Sequence, residues 1–222
     1  MMAIGARFDI LPEADIAVEA DPRNITHDLV TAYKDSGVNR VSFGIQDFSP
    51  GVQAAINRVQ TFDMVQRTVN SFRDVGIDAF NFDLMYGLPK QTCDDVKRTV
   101  DLASSLEPQR IAVFGYAHVP WMKKHMRLIR DEDLPDASAR IDQFFTAEDE
   151  LTARGMIAVG LDHFVKEGDA MHQAIKQKTL RRNFQGYTTD KADTMLGLGA
   201  SSIGRISGSF FQNVARVTTY SE

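Results

Sequence analysis

The sequence predicts an α/β fold with parallel strands, and three observations carry that prediction. Short apolar runs rich in β-branched and aromatic residues recur along the chain from residue 14 onward. Each run is followed by a polar or glycine-containing corner and then by a stretch of helical periodicity that ends near a glycine. The runs are separated by a helix and two loops, which is the kind of connection that joins neighbouring parallel strands. We therefore expect an α/β barrel or an open α/β sheet.

The first four strand and helix units lie between residues 15 and 116. Gly37 and Gly76 each follow a helical stretch, and a glycine there ends a helix because it enters the left-handed conformation without steric strain. The predicted strands cover residues 15–19, 40–45, 79–84 and 110–116. The predicted helices cover residues 24–36, 50–57, 62–75 and 93–106.

Beyond His118 the repeat becomes irregular. A longer helix is predicted over 137–154, a further strand over 156–161 and a short helix over 170–177. The tail over 196–212 is rich in glycine and serine, which is typical of a loop and a β-hairpin. No proline-rich or low-complexity linker separates these segments, so they predict one domain with an irregular C-terminal extension.

Composition excludes several classes of protein. With 222 residues, 43% of them hydrophobic, the chain can bury one core of ordinary size. Its net charge of −5, without a run of like charges, argues against a general binder of nucleic acid or membrane surfaces. The apolar stretch at the start of the chain is too short, and its surroundings are too polar, for a signal peptide or a membrane span. We therefore expect a cytoplasmic protein.

Metal-ligating residues are scarce in the sequence. Cys93 is the one cysteine, which excludes an intrachain disulfide and a cysteine-ligated zinc or iron–sulfur site built from this chain alone. His163 has no second histidine or cysteine at ligand spacing. No metal site is therefore predicted from these residues.

Polar residues stand where the predicted strands end. Glu19, Gln46, Asp83 and His118 occupy such positions, and Arg58 lies between the second and third strands. Ligands of parallel α/β folds bind at the carboxyl ends of the strands. Each residue alone has an ordinary alternative role as a helix cap, an ion-pair partner, a solvated arginine or a packing histidine. Together they predict one polar mouth that binds a ligand.

Six strings resemble, in order and spacing, the radical S-adenosylmethionine (radical SAM) family of oxygen-independent coproporphyrinogen III oxidases. The resemblance covers nearly the whole chain from about residue 15. The later strings are the more discriminating ones, because they resemble the oxidase branch rather than the related haem-chaperone branch. The strings are VEADPR (18–23), SFGIQDF (42–48), NFDLMYGLPKQT (81–92), VFGYAHVP (113–120), GLDHFVKEGD (160–169) and LRRNFQGYTT (180–189).

The resemblance implies a part of an incomplete (β/α)6 radical SAM barrel, over residues 1–165. An irregular extension with a β-hairpin, over 166–222, would cover the barrel mouth. In that family a [4Fe–4S] cluster on a CxxxCxxC loop reduces S-adenosylmethionine with electrons from an external donor. The resulting 5′-deoxyadenosyl radical starts the oxidative decarboxylation of two propionates of coproporphyrinogen III. The product is protoporphyrinogen IX, and the pathway is porphyrin and haem biosynthesis.

The resemblance also implies site residues, carried over by motif. Two molecules of S-adenosylmethionine are expected. Contacts to the first are Glu19, Phe114, Ala117 and Ile203. Contacts to the second are Gln46, Arg58 and Asp83. Phe184 and Gln185 match residues near the reactive centre and are the catalytic candidates. Nucleic acid and membrane-spanning partners are not expected.

The chain departs from the family pattern in several places. It contains no CxxxCxxC motif and no Gly-Gly-Thr segment of the kind that meets both cofactor molecules. The first strands and the helical C-terminal domain of the family are also missing. Two explanations stay open, a piece of a longer enzyme or a natural degenerate homologue. In either case the chain alone is expected to be inactive, and an unpaired strand edge would favour self-association.

Two other functions remain as alternatives to the oxidase. One is a haem-binding, chaperone-like relative without turnover, which haem titration would distinguish. The other is a barrel without radical chemistry, whose strand-end carboxylates catalyse acid–base reactions.

Overall fold

The structure, a computed structural model, describes residues 1–183 and 186–221. The chain divides into two compact units, Met1–His172 and Gln173–Glu222. This division lies seven residues after the predicted boundary at residue 165.

The first unit contains a six-stranded sheet and the helices that flank it. Its strands are β1 (Ala17–Ala20), β2 (Arg40–Gln46), β3 (Ala79–Tyr86), β4 (Arg110–Gly115), β5 (Ile157–Val159) and β6 (His163–Val165). Its helices are α1 (Met2–Gly5), α2 (His27–Asp35), α3 (Pro50–Ala55), α4 (Phe62–Asp74), α5 (Cys93–Ser105) and α6 (Ala137–Ala153). Short 3₁₀ turns cover Pro22–Asn24, Lys124–Leu128 and Asp131–Asp133.

The strands lie in the order β1-β2-β3-β4-β6-β5. The first four pair in parallel, as predicted. β6 pairs antiparallel with both β4 and β5, so the sheet ends in a hairpin. The strand predicted over 156–161 is present as β5, but it ends at Val159 because the chain reverses at Gly160, whose φ of 67° is accessible to glycine without strain.

The start of the first helix also differs from the prediction. Residues 22–24 form a 3₁₀ turn capped by Asp21, whose side chain accepts a hydrogen bond from the Arg23 amide. Helix α2 begins only at His27, because the Thr26 hydroxyl accepts the Leu29 amide at 3.3 Å and acts as the N-cap.

Alternation along the central strands separates two faces of the sheet. One face is apolar and packs against α4 and α5, with Phe43 at its centre. The ring of Phe43 lies 5.8 Å from that of Phe72 on α4 and 6.0 Å from that of Phe80 on β3. The opposite face carries polar, half-buried residues such as Ser42 and Asn81. Parallel sheets are usually apolar on both faces, so this second face is where the sheet departs from a purely structural design.

The second unit is built from two antiparallel hairpins and a final short helix, α8 (Val217–Tyr220). One hairpin joins β7 (Arg181–Asn183) to β8 (Gly186–Thr188), and this pair was not predicted. The other joins β9 (Ile203–Ile206) to β10 (Ser209–Gln212), which confirms the hairpin predicted in the tail. Helix α7 (Ala170–Lys176) spans the division between the units. No helix in the described part of the chain is long and apolar enough to cross a membrane.

Candidate functional site

The polar residues of neighbouring strands share one face of the sheet. Glu19 pairs with Ser42, and Ser42 pairs with Asn81. One level closer to the carboxyl ends, Asp83 lies between Gly44 and Ala112. Directly paired residues of adjacent strands project to the same face, so the sheet itself brings these side chains together.

Gln46 ends β2 in an unusual backbone conformation. Its φ is 68°, and the register with β3 shifts between Gly44 and Gln46. The side chain folds back over Gly44. A Cβ placed on that glycine would lie only 2.9 Å from the Gln46 Nε2 atom. The absence of a side chain at Gly44 therefore leaves room for the amide, and the left-handed conformation directs it there.

Arg58 is anchored at the same strand end. Its Nη2 atom donates to the Gly44 carbonyl at 2.8 Å and to the Gln60 side chain at 3.3 Å. Its Nη1 atom lies 3.6 Å from the Asp21 carboxylate. Burial lowers the pKa of this guanidinium, and its buried Nε has no hydrogen-bond partner among the described residues. The site thus holds a positioned cation with one unused donor.

Asp83 lies in the middle of β3 and carries a half-buried carboxylate. Burial, and to a smaller extent the negative charge of Glu19, raise its pKa to about 6 against the opposing effect of His163. No hydrogen bond from a residue in 1–183 or 186–221 contributes to this pKa. A cationic ligand group beside it would restore its ordinary ionisation.

His163 belongs to the same level of the sheet, which the sequence did not predict. It pairs with Ala112, the strand partner of Asp83. Its ring contacts Phe114 edge-on at 5.9 Å, and its Nδ1 lies 2.6 Å from the Asp162 carboxylate. A glycine-containing turn before the histidine indicated that the chain reverses there. The following strand has only three residues, which is too short for its periodicity to be recognised.

A hollow of about 500 Å³ opens beyond the ends of β3 and β4. The predicted residue Ala117 lines it and is exposed. His118 lies beside it, with Nε2 3.5 Å from Asp131 and Nδ1 3.4 Å from the Tyr116 hydroxyl. Most of the wall is apolar, formed by Ile56, Met85, Leu88, Tyr116, Val119, Met126 and Ile129.

A buried polar network holds the loops around the site. The Asp47 carboxylate accepts hydrogen bonds from the Ser49 amide and, at 2.8 Å, from Gln91 Nε2. Gln143 of α6 donates to the Gln91 carbonyl at 2.7 Å and accepts from the Gly87 amide at 2.9 Å. Burial raises the pKa of Asp47 to about 6. This network links the loops after β2 and β3 to α6, and sequence reasoning missed it because its members are distant in the chain.

The remaining predicted residues lie elsewhere. Ile203 begins β9 in the second unit and is half-buried. Phe184 and Gln185, the catalytic candidates, lie outside the described residues. The structure therefore places Glu19, Gln46, Asp83 and Phe114 on strands of the first unit, and Arg58 lies against them through its hydrogen bond to the Gly44 carbonyl.

Cofactor requirements are met in part. The free arginine donor and the Asp83 carboxylate fit a ligand with separate anionic and cationic groups, such as S-adenosylmethionine. An iron–sulfur cluster does not fit, because its usual ligands are several thiolates and the sequence has one cysteine. No group of three or more possible ligands is found over residues 1–183 and 186–221.

Comparison with known proteins gives closely similar relatives. Residues 2–103 match the family model of the radical SAM superfamily. The oxygen-independent coproporphyrinogen III oxidase of Bradyrhizobium diazoefficiens is 48% identical over 222 residues, which are 100% of this chain and 49% of that protein. The protein of the same name from Paracoccus denitrificans is 43% identical over 96% of this chain and 48% of its own length. The chain thus spans about half the length of the curated relatives it matches.

A solved structure gives the same result for the fold. Coproporphyrinogen III oxidase (HemN) from Escherichia coli, a radical SAM enzyme, matches with a TM-score of 0.93 at 36% identity. The match covers 98% of this chain and 50% of that one. The predicted α/β fold with parallel strands and the predicted family resemblance are confirmed. Residues 2–103 match the radical SAM superfamily, and the whole chain is homologous to about half of an oxygen-independent coproporphyrinogen III oxidase.

Proposed function

We propose that this chain forms the S-adenosylmethionine-binding part of an enzyme that oxidatively decarboxylates coproporphyrinogen III to protoporphyrinogen IX. One observation carries the proposal: Glu19, Gln46 and Asp83 stand on neighbouring parallel strands, with Arg58 bound to the Gly44 carbonyl beside them, in a fold shared with such an oxidase. The two curated relatives align over 96–100% of this chain, and both are named oxygen-independent coproporphyrinogen III oxidase. Their names support the oxidase over a haem-binding role.

The side chains suit the groups of the cofactor by charge. Arg58 would pair with the amino-acid carboxylate, since its Nε donor is unused. Asp83 would receive the ammonium group, because a cation relieves a half-buried carboxylate. Gln46 would hydrogen-bond a polar group of the same cofactor molecule.

That cofactor is the second of the two expected molecules, and the first would use the neighbouring positions. Glu19 can accept hydrogen bonds from ribose hydroxyls, since an ionised carboxylate is an acceptor at both oxygens. The backbone around Phe114 and Ala117, where β4 ends, would pair with the adenine. When bound and reduced, S-adenosylmethionine supplies the radical chemistry that removes hydrogen from a propionate.

The reaction itself is proposed for a complete enzyme. This chain has one cysteine and thus lacks the thiolates for the cluster, so we expect it to bind S-adenosylmethionine without turnover. Phe184 and Gln185 remain the proposed residues near the reacting propionate. The proposal includes an external electron donor and a cytoplasmic location, and cell fractionation would test the location.

Calorimetric titration of the chain with S-adenosylmethionine tests the cofactor site. We expect saturable binding that weakens about tenfold or more in Arg58→Met, because a charged hydrogen bond contributes about 1.5–3 kcal/mol. Arg67→Met is the matched control, since this exposed arginine of α4 takes no part in the site. Equal affinity in both variants, or no binding by the unaltered chain, would refute the assignment.

A further inference from the structure

The second unit contains a small pocket with an unusual excess of positive charge. The pocket has a volume of about 110 Å³ and is lined by residues of both hairpins and of the segment between them. Arg181, Arg182 and Arg205 line it, and Asp190 is the acidic residue among the described lining residues. Liquid water occupies about 30 Å³ per molecule, so the pocket has room for a carboxylate on a short side chain and not for a whole tetrapyrrole.

The three arginines have no carboxylate partner among residues 1–183 and 186–221. In the first unit, by contrast, Arg110 pairs with Asp169 at 2.9 Å and Arg40 with Asp15 at 3.1 Å. Asp190 accepts a hydrogen bond from the Ala192 amide at 2.8 Å and forms no ion pair with a described arginine. The positive charge of the pocket is therefore uncompensated within the described structure.

Arg205 is held rigidly and has an unused donor. Its backbone forms a two-way bridge with Met195, with N···O distances of 2.7 and 2.8 Å. Its guanidinium lies 5.9 Å from the centre of the Phe210 ring. The Nε atom is buried and has no hydrogen-bond partner among the described residues. A buried donor without a partner is unfavourable, and an acceptor supplied by a ligand removes that penalty.

The other two arginines are also partly fixed. Arg182 stacks at 5.4 Å from the centre of the Tyr187 ring, which orients the plane of its guanidinium. Arg181 donates one Nη1 hydrogen bond to the Lys191 carbonyl at 3.3 Å, which leaves its other donors available. Planar guanidinium groups match the two oxygens of a carboxylate, so the pocket favours that ligand over a neutral group.

We infer that this pocket binds a carboxylate of the substrate, namely one propionate of coproporphyrinogen III. The identity of the carboxylate rests on the proposed function, whereas the existence of an anion site rests on the three arginines alone. The pocket accordingly selects substrates by their acidic side chains, separately from the cofactor residues of the first unit.

Fluorescence titration of the whole chain with coproporphyrin III, the stable oxidised form of the substrate, tests this inference. The double variant Arg181→Met/Arg182→Met changes exposed residues, so it should fold, and we expect it to bind about tenfold more weakly or worse. Arg205→Met should behave in the same way, with its fold checked by circular dichroism. Arg216→Ala removes an exposed charge from the same unit outside the pocket and should bind as the unaltered chain does.

A second ligand separates carboxylate recognition from general binding of the macrocycle. The tetramethyl ester of coproporphyrin III keeps the ring and removes the charges, so its weaker binding should not depend on the arginines. Equal affinity of the arginine variants and the unaltered chain for the free acid would overturn the inference, as would no binding at all.

A parallel titration with S-adenosylmethionine distinguishes the two proposals. Cofactor binding together with arginine-independent porphyrin binding would refute the pocket and leave the proposed function standing. Arginine-dependent porphyrin binding without cofactor binding would refute the proposed radical enzyme and leave the carboxylate site.

Discussion

Replacing Asp83 by asparagine should make the protein more stable and a weaker cofactor binder at the same time. Burial and the charge of Glu19 raise the pKa of Asp83 from 3.8 to about 6 in the folded chain. One pKa unit equals about 1.4 kcal/mol, so ionisation of this carboxyl destabilises the folded state by at most about 3 kcal/mol. The neutral amide of Asp83→Asn has nearly the same shape and avoids that penalty.

The sign of the pH dependence follows from the same difference. Between pH 3.8 and about 6 the folded chain holds the Asp83 proton more often than the unfolded chain, so stability falls as pH rises. The advantage of Asp83→Asn should therefore be near zero below pH 4, grow through this interval and be complete above pH 6. The titration of Asp47 is present in both proteins and cancels in the comparison.

Urea denaturation at pH 4 and pH 7.5, paired with titration by S-adenosylmethionine at pH 7.5, measures both effects. Asp78→Asn is the control, because it makes the same chemical change at an exposed position just before β3. The reasoning fails if Asp83→Asn is equally stable relative to the parent at both pH values. It also fails if the variant retains parental cofactor affinity.

Two further substitutions test how the site is built. Asp47→Ala removes the acceptor of the Ser49 amide and one of the two acceptors of the buried Gln91 amide, which also donates to the Met85 carbonyl. Urea denaturation at pH 4, where the Asp47 carboxyl is uncharged, should show a loss of about 1–3 kcal/mol in unfolding free energy. A loss below 0.5 kcal/mol would contradict the network. Gly44→Ala places a methyl group 2.9 Å from the Gln46 amide, so the amide must move. We expect weaker binding of S-adenosylmethionine with little change in the midpoint of thermal unfolding. Unchanged affinity would show that the amide can move aside without loss.

Local periodicity in the sequence was sufficient to predict the central strands, but it was insufficient to predict all residues of the site. β2, β3 and β4 each end within two residues of the prediction. Each strand is at least six residues long and contains several apolar residues, so its pattern is recognisable. β6 has three residues and was missed. The polar strand ends could be predicted from the rule that parallel strands present ligands at their carboxyl ends.

The supporting network could not be predicted in that way. Asp47 and Gln91 are 44 residues apart, and Gln91 and Gln143 are 52 apart. Glutamine has no local signature that distinguishes a buried hydrogen-bonding role from a solvated one. Such pairs are defined only when the chain has folded.

The β5–β6 hairpin at the edge of the sheet makes the side chains on the polar face depend on strand register. His163 lies at the same level of the sheet as Asp83, on the other side of β4, because the turn between β5 and β6 has three residues, 160–162, and because β6 pairs in one register with β4. Side chains alternate along a strand, so a slip of one residue would turn His163 toward the helices and present its buried neighbour Phe164 to the polar face. The length of one short turn thus determines whether a titratable imidazole or an aromatic hydrocarbon stands beside the carboxylate.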